Sequence, residues 1–247
     1  MLESHPALVC QSEPFNSDDP DLPYPLSMSS REILEGWVYR AFEPSVKAAG
    51  FVLQIYHPRG LRAFPGIREN LQWSDIWPIL EGMPDLRVIH LRRDNGLRRH
   101  LSHILARETG QWHDWLPERV DQVTHLHPPE SKRDDGSGAG GSAARLRPVA
   151  DLEAERLKAD FEEVEALHKA AQKRFEKGHY HALTYEALCA EPRACGQALL
   201  RFLDLPQAEL LPAVARLEQR PLNESIRNFS ALRAVFADTD WARYFEE

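Results

Sequence analysis

Apolar positions along this chain alternate between short continuous runs and helical stripes. Leu8-Val9-Cys10 is such a run, preceded by His5-Pro6 and followed by polar, proline-rich sequence from Gln11 to Leu26; it predicts a strand and then a long loop. Ile33, Trp37, Val38 and Ala41 recur on one face and predict a helix from about Ser30 to Phe42. The run Gly50–Tyr56 is continuous enough for a strand buried in a parallel sheet, and Pro58-Arg59-Gly60 breaks it. Ser74-Asp75 can cap a short helix that ends before Gly82.

Leu86–Leu91 predicts a third strand, and Asn95 to about Thr109 a helix with Leu97, Leu101, Ile104 and Leu105 on one side and Gly110 as its stop. A further helix is expected from about Asp151 to Lys177, a fourth strand over His181–Tyr185, and helices over about Pro192–Leu205 and Ala208–Arg216. Between them, residues 126–148 form a Pro/Gly/Ser/charge tract that cannot bury enough apolar area to order itself, so a mobile loop is expected there. Strands alternating with helices predict the α/β class: one domain over residues 1–247 with a parallel central sheet flanked by helices. Ligands of such sheets bind at the carboxyl ends of the strands, which directs attention to the residues after Cys10, Tyr56, Leu91 and Tyr185.

Composition narrows the function classes. The formal charge of −8 and pI near 5.8 oppose a nucleic-acid partner, whose footprint is normally basic. Mean hydropathy is −0.49, no apolar run approaches the roughly 20 residues of a membrane span, and Met1–His5 is not a signal peptide, so a cytoplasmic address is expected. The three cysteines lack metal spacing and read as small buried thiols. His125/His127 and His179/His181 have no third ligand at credible spacing, so no metal is expected.

The densest chemical signal is Arg87-Val88-Ile89-His90-Leu91-Arg92-Arg93-Asp94-Asn95, with Ser102 in the following helix. An arginine at the end of a buried strand can take a phosphate bidentately, and Asp94 or Asn95 can cap the helix. Spacing alone favours the plainer reading, a surface arginine and a helix-surface serine.

The segment VIHLRRDNGLRRHLSHILARETGQWH resembles the 3′-phosphate-binding segment of bacterial sulfotransferases of the nodulation-factor and trehalose type, which use 3′-phosphoadenosine 5′-phosphosulfate. The stretches LTYEALCAEPRACGQALLRFLDLP and PLNESIRNFSALRAVF are similar to later parts of the same family. The resemblance implies a P-loop-NTPase-like sulfotransferase fold. It places Arg93 and Ser102 on the 3′-phosphate with Arg92 beside them, and Arg227 and Asn228 near the adenosine or 3′-phosphate. It also makes Glu13, in Glu13-Pro14-Phe15, the base for an attacking hydroxyl of a carbohydrate or glycolipid; an acid in a polar loop is the plainer alternative.

One departure matters. Relatives of this type begin with a strand and a Gly-Ser/Thr-rich loop whose backbone N–H groups cradle the 5′-phosphosulfate, and this sequence shows no such segment. The expectation is an amino-terminally truncated member that is inactive as written. The competing reading is a non-catalytic nucleotide-binding or interaction protein that keeps the fold. A P-loop kinase is disfavoured by the lack of a Gly-Lys-Ser/Thr loop. Whether the chain forms a homodimer is left open.

Overall fold

The computed structural model describes residues 1–11, 13–16, 22–54, 73, 75–111, 114–115, 150–212, 214–215 and 220–246. The expected polar loop at 126–148, His125 and His127, Ser74, and Ile55 and Tyr56 of the second predicted strand lie outside these residues. The described parts fall into two compact units, one from Met1–Arg92 and Val164–Leu211, the other from Arg93–Gln122, Leu126–Glu163 and Pro212–Glu247.

In the first unit β1 (Leu8–Gln11) pairs in parallel with β2 (Ala48–Phe51), in register from Leu8 opposite Ala48 to Gln11 opposite Phe51. Parallel strands need a crossover, and it contains α1 (Ser30–Ile33). A capping box starts α1: Glu32 N–H donates to Ser29 Oγ at 3.3 Å, and Ser29 N–H donates to Glu32 Oε2 at 2.8 Å. The helix does not run on to Phe42 as predicted. From Leu34 to Val38 it widens into a π turn, closed by Tyr39 N–H on Leu34 O at 2.7 Å. That widening keeps Ile33, Leu34 and Val38 buried together, with Phe15, Tyr24, Trp73, Ile76 and Leu80 in the same core.

Helix α2 (Ile76–Glu81) follows Asp75, whose carboxylate does not cap it but accepts from buried Ser30 Oγ at 2.5 Å. β3 (Arg87–Arg92) pairs in parallel with β5 (His179–Thr184), from Arg87 opposite His179 to Arg92 opposite Thr184. Thr184 ends β5 and caps α5 (Tyr185–Ala190), accepting from Ala187 N–H at 3.1 Å, so Tyr185 belongs to the helix and not to the predicted strand. α6 (Pro192–Phe202) starts on a proline, which suits a first helical turn.

In the second unit α3 (Gly96–Thr109) packs Leu97, Leu101 and Leu105 into a core with Leu157, Phe161, Leu222, Ile226, Leu232, Phe236, Tyr244 and Phe245. The two-residue strands β4 (Asp114–Trp115) and β6 (Val214–Ala215) pair antiparallel there. α7 (Leu222–Ser225) and α8 (Phe229–Phe236) end the chain with a 3₁₀ turn at Ala242–Phe245. Helix α4 (Ala154–Phe175) contributes residues to both units.

The α/β class holds, but no single central sheet is seen among the described residues. Among the described residues the parallel strands form two separate pairs, β1–β2 and β3–β5. Among the described residues each pair keeps open edges, and Leu91, next to the last residue of β3, is 48% exposed, whereas a central parallel strand would be covered on both faces. The helix predicted near Ala208–Arg216 is also absent: residues 205–212 are irregular and 214–215 are strand. Pro206 and Pro212 break the pattern, Leu210 packs beside Leu8, Leu200 and Leu205, and Leu211 N–H donates to Ser4 Oγ at 2.9 Å. Among the described residues no helix is long and apolar enough to cross a membrane.

Candidate functional site

Glu13 stands two residues beyond β1, at the carboxyl end of the β1–β2 pair, where parallel sheets take their ligands. The chain turns there. Pro14 occupies the second position of a turn closed by Asn16 N–H on Glu13 O at 3.0 Å, a place for which its fixed φ is suited. Phe15 nails the turn down: it is 1% exposed and meets Phe51 and Trp73 edge-on, at 5.5 and 5.7 Å between ring centres. Tyr24 hydroxyl donates to Pro14 O from the other side. The half-buried Glu13 carboxylate receives an amide on each oxygen, Gln54 Nε2 on Oε1 at 2.7 Å and Asn16 Nδ2 on Oε2 at 3.1 Å. Gln54 comes from just past β2, whose last strand residue is paired with Gln11; Val52 N–H continues that ladder onto Gln11 O at 3.2 Å.

Arg92 is the exposed last residue of β3, opposite Thr184. The other predicted anion-binding residues lie in the second unit, around the start of α3. Asn95 caps this helix, accepting from Arg98 N–H at 2.9 Å, and its Nδ2 donates to Tyr244 O at 3.1 Å. Gly96 follows because there is no room for more: a Cβ would sit 2.7 Å from Tyr244 Cε2 and 3.3 Å from Phe161 Cδ1. Arg93, half-buried, folds its guanidinium over the first turn and donates to Arg98 O at 3.4 Å. Ser102 is half-buried on the second turn.

The next arginine is committed elsewhere. Arg99 donates to Asp160 Oδ2, and His100 Nδ1 lies 3.0 Å from the same oxygen, with Asp160 fully buried. His103, one turn on, is pushed down to about 4 by burial, with Arg107 and Arg99 adding to the effect. Arg227 is exposed and ion-paired to Asp151. Asn228 is engaged through both amide atoms: Leu152 N–H donates to its Oδ1 at 3.1 Å, and its Nδ2 donates to Leu152 O at 2.7 Å.

Nodulation protein H of Rhizobium tropici is 28% identical over 252 residues, covering all of this chain and 86% of that protein. Nodulation protein H of Rhizobium meliloti is 28% identical over 251 residues, covering all of this chain and 88% of that protein. This chain is similar to both proteins along its whole length. No family model matches it. No solved structure matches it.

The predicted residues fall into two groups. Glu13 and Arg92 lie at carboxyl ends of strand pairs in the first unit; Arg93, Ser102, Arg227 and Asn228 lie in the second. Among the described residues no group of three or more His, Cys, Asp and Glu could hold a metal ion. His181 lies against Phe202, with 5.2 Å between ring centres, and His179 is exposed. The three cysteines are free, and Cys189 is exposed, not buried as expected. Burial and the neighbouring Glu3 push the Cys10 thiol up to about 12, so it is a packing group and not a nucleophile.

Sequence reasoning missed three features. Gln54 and Asn16 on Glu13 are one, and the Arg99–Asp160–His100 cluster another. The third is a hydrogen-bonded line of Tyr180, His90 and His168 on β5, β3 and α4, of which only His90 lay in a segment the sequence singled out. No spacing rule could join residues 41, 61 or 78 positions apart.

Proposed function

We propose that the chain is a sulfotransferase that moves a sulfuryl group from 3′-phosphoadenosine 5′-phosphosulfate to a hydroxyl of a carbohydrate or glycolipid. The observation that carries this is Glu13: in a chain similar to nodulation protein H along its whole length, a half-buried carboxylate is held at the carboxyl end of a parallel strand pair.

In the reaction the acceptor oxygen forms a bond to sulfur while the bond between sulfur and the bridging oxygen of the 5′-phosphate breaks. The electron pair leaves on that phosphate oxygen, and the acceptor's proton passes to the Glu13 carboxylate. Positioning of the two oxygens in line supplies much of the acceleration. Arg93 and Ser102 would hold the 3′-phosphate at the start of α3, with Arg92 as a neighbouring cation. Arg227 would reach the nucleotide by opening its exposed pair with Asp151, whereas Asn228 would act by bracing the chain at Leu152. No metal is needed for this chemistry. The compartment proposed is the cytoplasm.

A second reading has its own support, since the described strand–helix junctions contain no Gly-Ser/Thr-rich loop to cradle the 5′-phosphosulfate. It is a protein that binds the nucleotide without turning it over. Calorimetry with 3′-phosphoadenosine 5′-phosphate and transfer assays with the labelled donor separate the two. Arg93→Ala should weaken nucleotide binding by about 1.5–3 kcal/mol, the scale of a charged hydrogen bond. Unchanged affinity would remove Arg93 from the site, and binding without transfer would favour the second reading.

A further inference from the structure

We infer that Gln54 is a positioning residue for sulfuryl transfer, acting through Glu13; this rests on the reading of Glu13 as the base. The argument starts from what a base needs. A carboxylate has two oxygens with about four lone-pair directions between them. To take a proton from one particular hydroxyl, it must present one of those directions at a fixed angle and leave it open. A glutamate on a loop has three rotatable bonds before its carboxyl group and no intrinsic reason to do so.

The structure removes that freedom from two sides. Asn16 belongs to the same turn as Glu13 and fixes Oε2 locally, at 3.1 Å. Gln54 reaches Oε1 at 2.7 Å from the neighbouring strand's exit, 41 residues away in sequence. Because β1 and β2 are parallel and in register to Gln11 and Phe51, their exits lie at the same edge, and the Gln54 amide ties the two exits together across the mouth of the pair. Gln54 and Asn16 are neutral donors, so neither forms an ion pair with the carboxylate. An arginine or lysine in the same place would neutralise the carboxylate by ion pairing and favour its charged form over the protonated one that transfer creates. An amide orients with less of that penalty. All three side chains are half-buried, and the two amides hold the carboxylate from two sides.

The role of Gln54 in the transfer is confined to geometry. The acceptor O–H bond breaks with its proton going to Glu13, the acceptor O–S bond forms, and the sulfur–phosphate oxygen bond breaks with its electrons going to phosphate. Gln54 exchanges no proton in the step.

The test is a kinetic cycle on the full chain with labelled 3′-phosphoadenosine 5′-phosphosulfate as donor and trehalose or an N-acetylglucosamine oligosaccharide as acceptor. Gln54→Met keeps the side-chain length and removes the donor. It should lower kcat roughly ten- to a hundredfold, the scale of a misplaced catalytic group, with acceptor KM little changed. Glu13→Gln should lower kcat by about 10²–10⁴. In the Glu13→Gln background, Gln54→Met should cause no further loss, an outcome that a general structural role for Gln54 would not produce. Full kcat in Gln54→Met, or a loss that persists undiminished in the Glu13→Gln background, would overturn the inference while leaving Glu13 as base. Transfer that survives Glu13→Gln, or its absence in the unaltered chain, would overturn the underlying reading itself.

Discussion

His90 Nε2 on β3 lies 2.7 Å from His168 Nδ1 on α4, and His90 Nδ1 lies 2.5 Å from the Tyr180 hydroxyl on β5. Two imidazoles in this contact share one proton between facing nitrogens, and a second would set N–H against N–H. Burial holds His90 below the usual histidine range, and the nearby Arg92 charge adds to it. Burial pushes the Tyr180 hydroxyl up, with Arg92 opposing and Glu176 adding to the effect. The folded state therefore takes up protons less readily than the unfolded chain, whose histidines titrate near about 6.5. Stability is complete above that value and is lost as pH falls below it toward the lower folded value. Denaturant midpoints at pH 7.5 and 5.0 should differ, and His90→Gln should narrow the difference. A midpoint flat across this range in the unaltered chain would refute the argument.

Removing Asp160 should be among the costlier single changes. Its side chain is 1% exposed and faces Arg99, 20% exposed, and His100. Breaking a buried pair strands the remaining charge, at about 3–5 kcal/mol. Asp160→Ala should show this as a large fall in the urea midpoint, and Arg99→Met in the same background should recover part of it. A loss below about 1 kcal/mol would mean the guanidinium escapes to water, as at an exposed pair.

Two glycines should respond to alanine for opposite reasons. At Gly96 a Cβ meets Tyr244 Cε2 at 2.7 Å, and overpacking costs about 1–3 kcal/mol against a helix-propensity gain of about 1. At Gly110 nothing lies within 4 Å of a Cβ, but φ is +68°, so Gly110→Ala costs about 1 kcal/mol through backbone conformation alone. Denaturation midpoints of the two variants check this. Truncating Tyr244 to leucine should relieve Gly96→Ala and leave Gly110→Ala unchanged.

These sites mark where the sequence could and could not be read. The β3–turn–α3 segment was legible to within a residue, because an apolar run, a capping residue, a leucine stripe and a stop glycine all agree over Leu86–Gly110. α1 was legible only at its start. Its capping box is local, but the π turn at Leu34 answers to the core formed with Trp73 and Ile76. The segment at Ala208 read as helix because its leucines have helical spacing, yet Leu210 is claimed by Leu8 and Leu200 and the proline at 212 forbids continuation. For the site, Glu13 could be named from resemblance, but the donors that aim it come from a strand pairing that residue spacing does not encode.

Asn95 should show that one side chain does two jobs at the start of α3. Its Oδ1 accepts from Arg98 N–H at 2.9 Å, and its Nδ2 donates to Tyr244 O at 3.1 Å. Asn95→Ala loses both and should cost about 1–2 kcal/mol. Asn95→Asp keeps the cap and gains a favourable charge at the helix amino end, worth about 0.3–1 kcal/mol, while losing only the donation to Tyr244. The aspartate variant should therefore lie close to the unaltered chain and the alanine variant well below it, as read from denaturation midpoints. The alanine variant should also bind 3′-phosphoadenosine 5′-phosphate more weakly, because the turn it loosens holds the Arg93 guanidinium through Arg98 O. Equal losses in the two variants would mean that the Tyr244 tie, and not the cap, is what fixes the entry to α3.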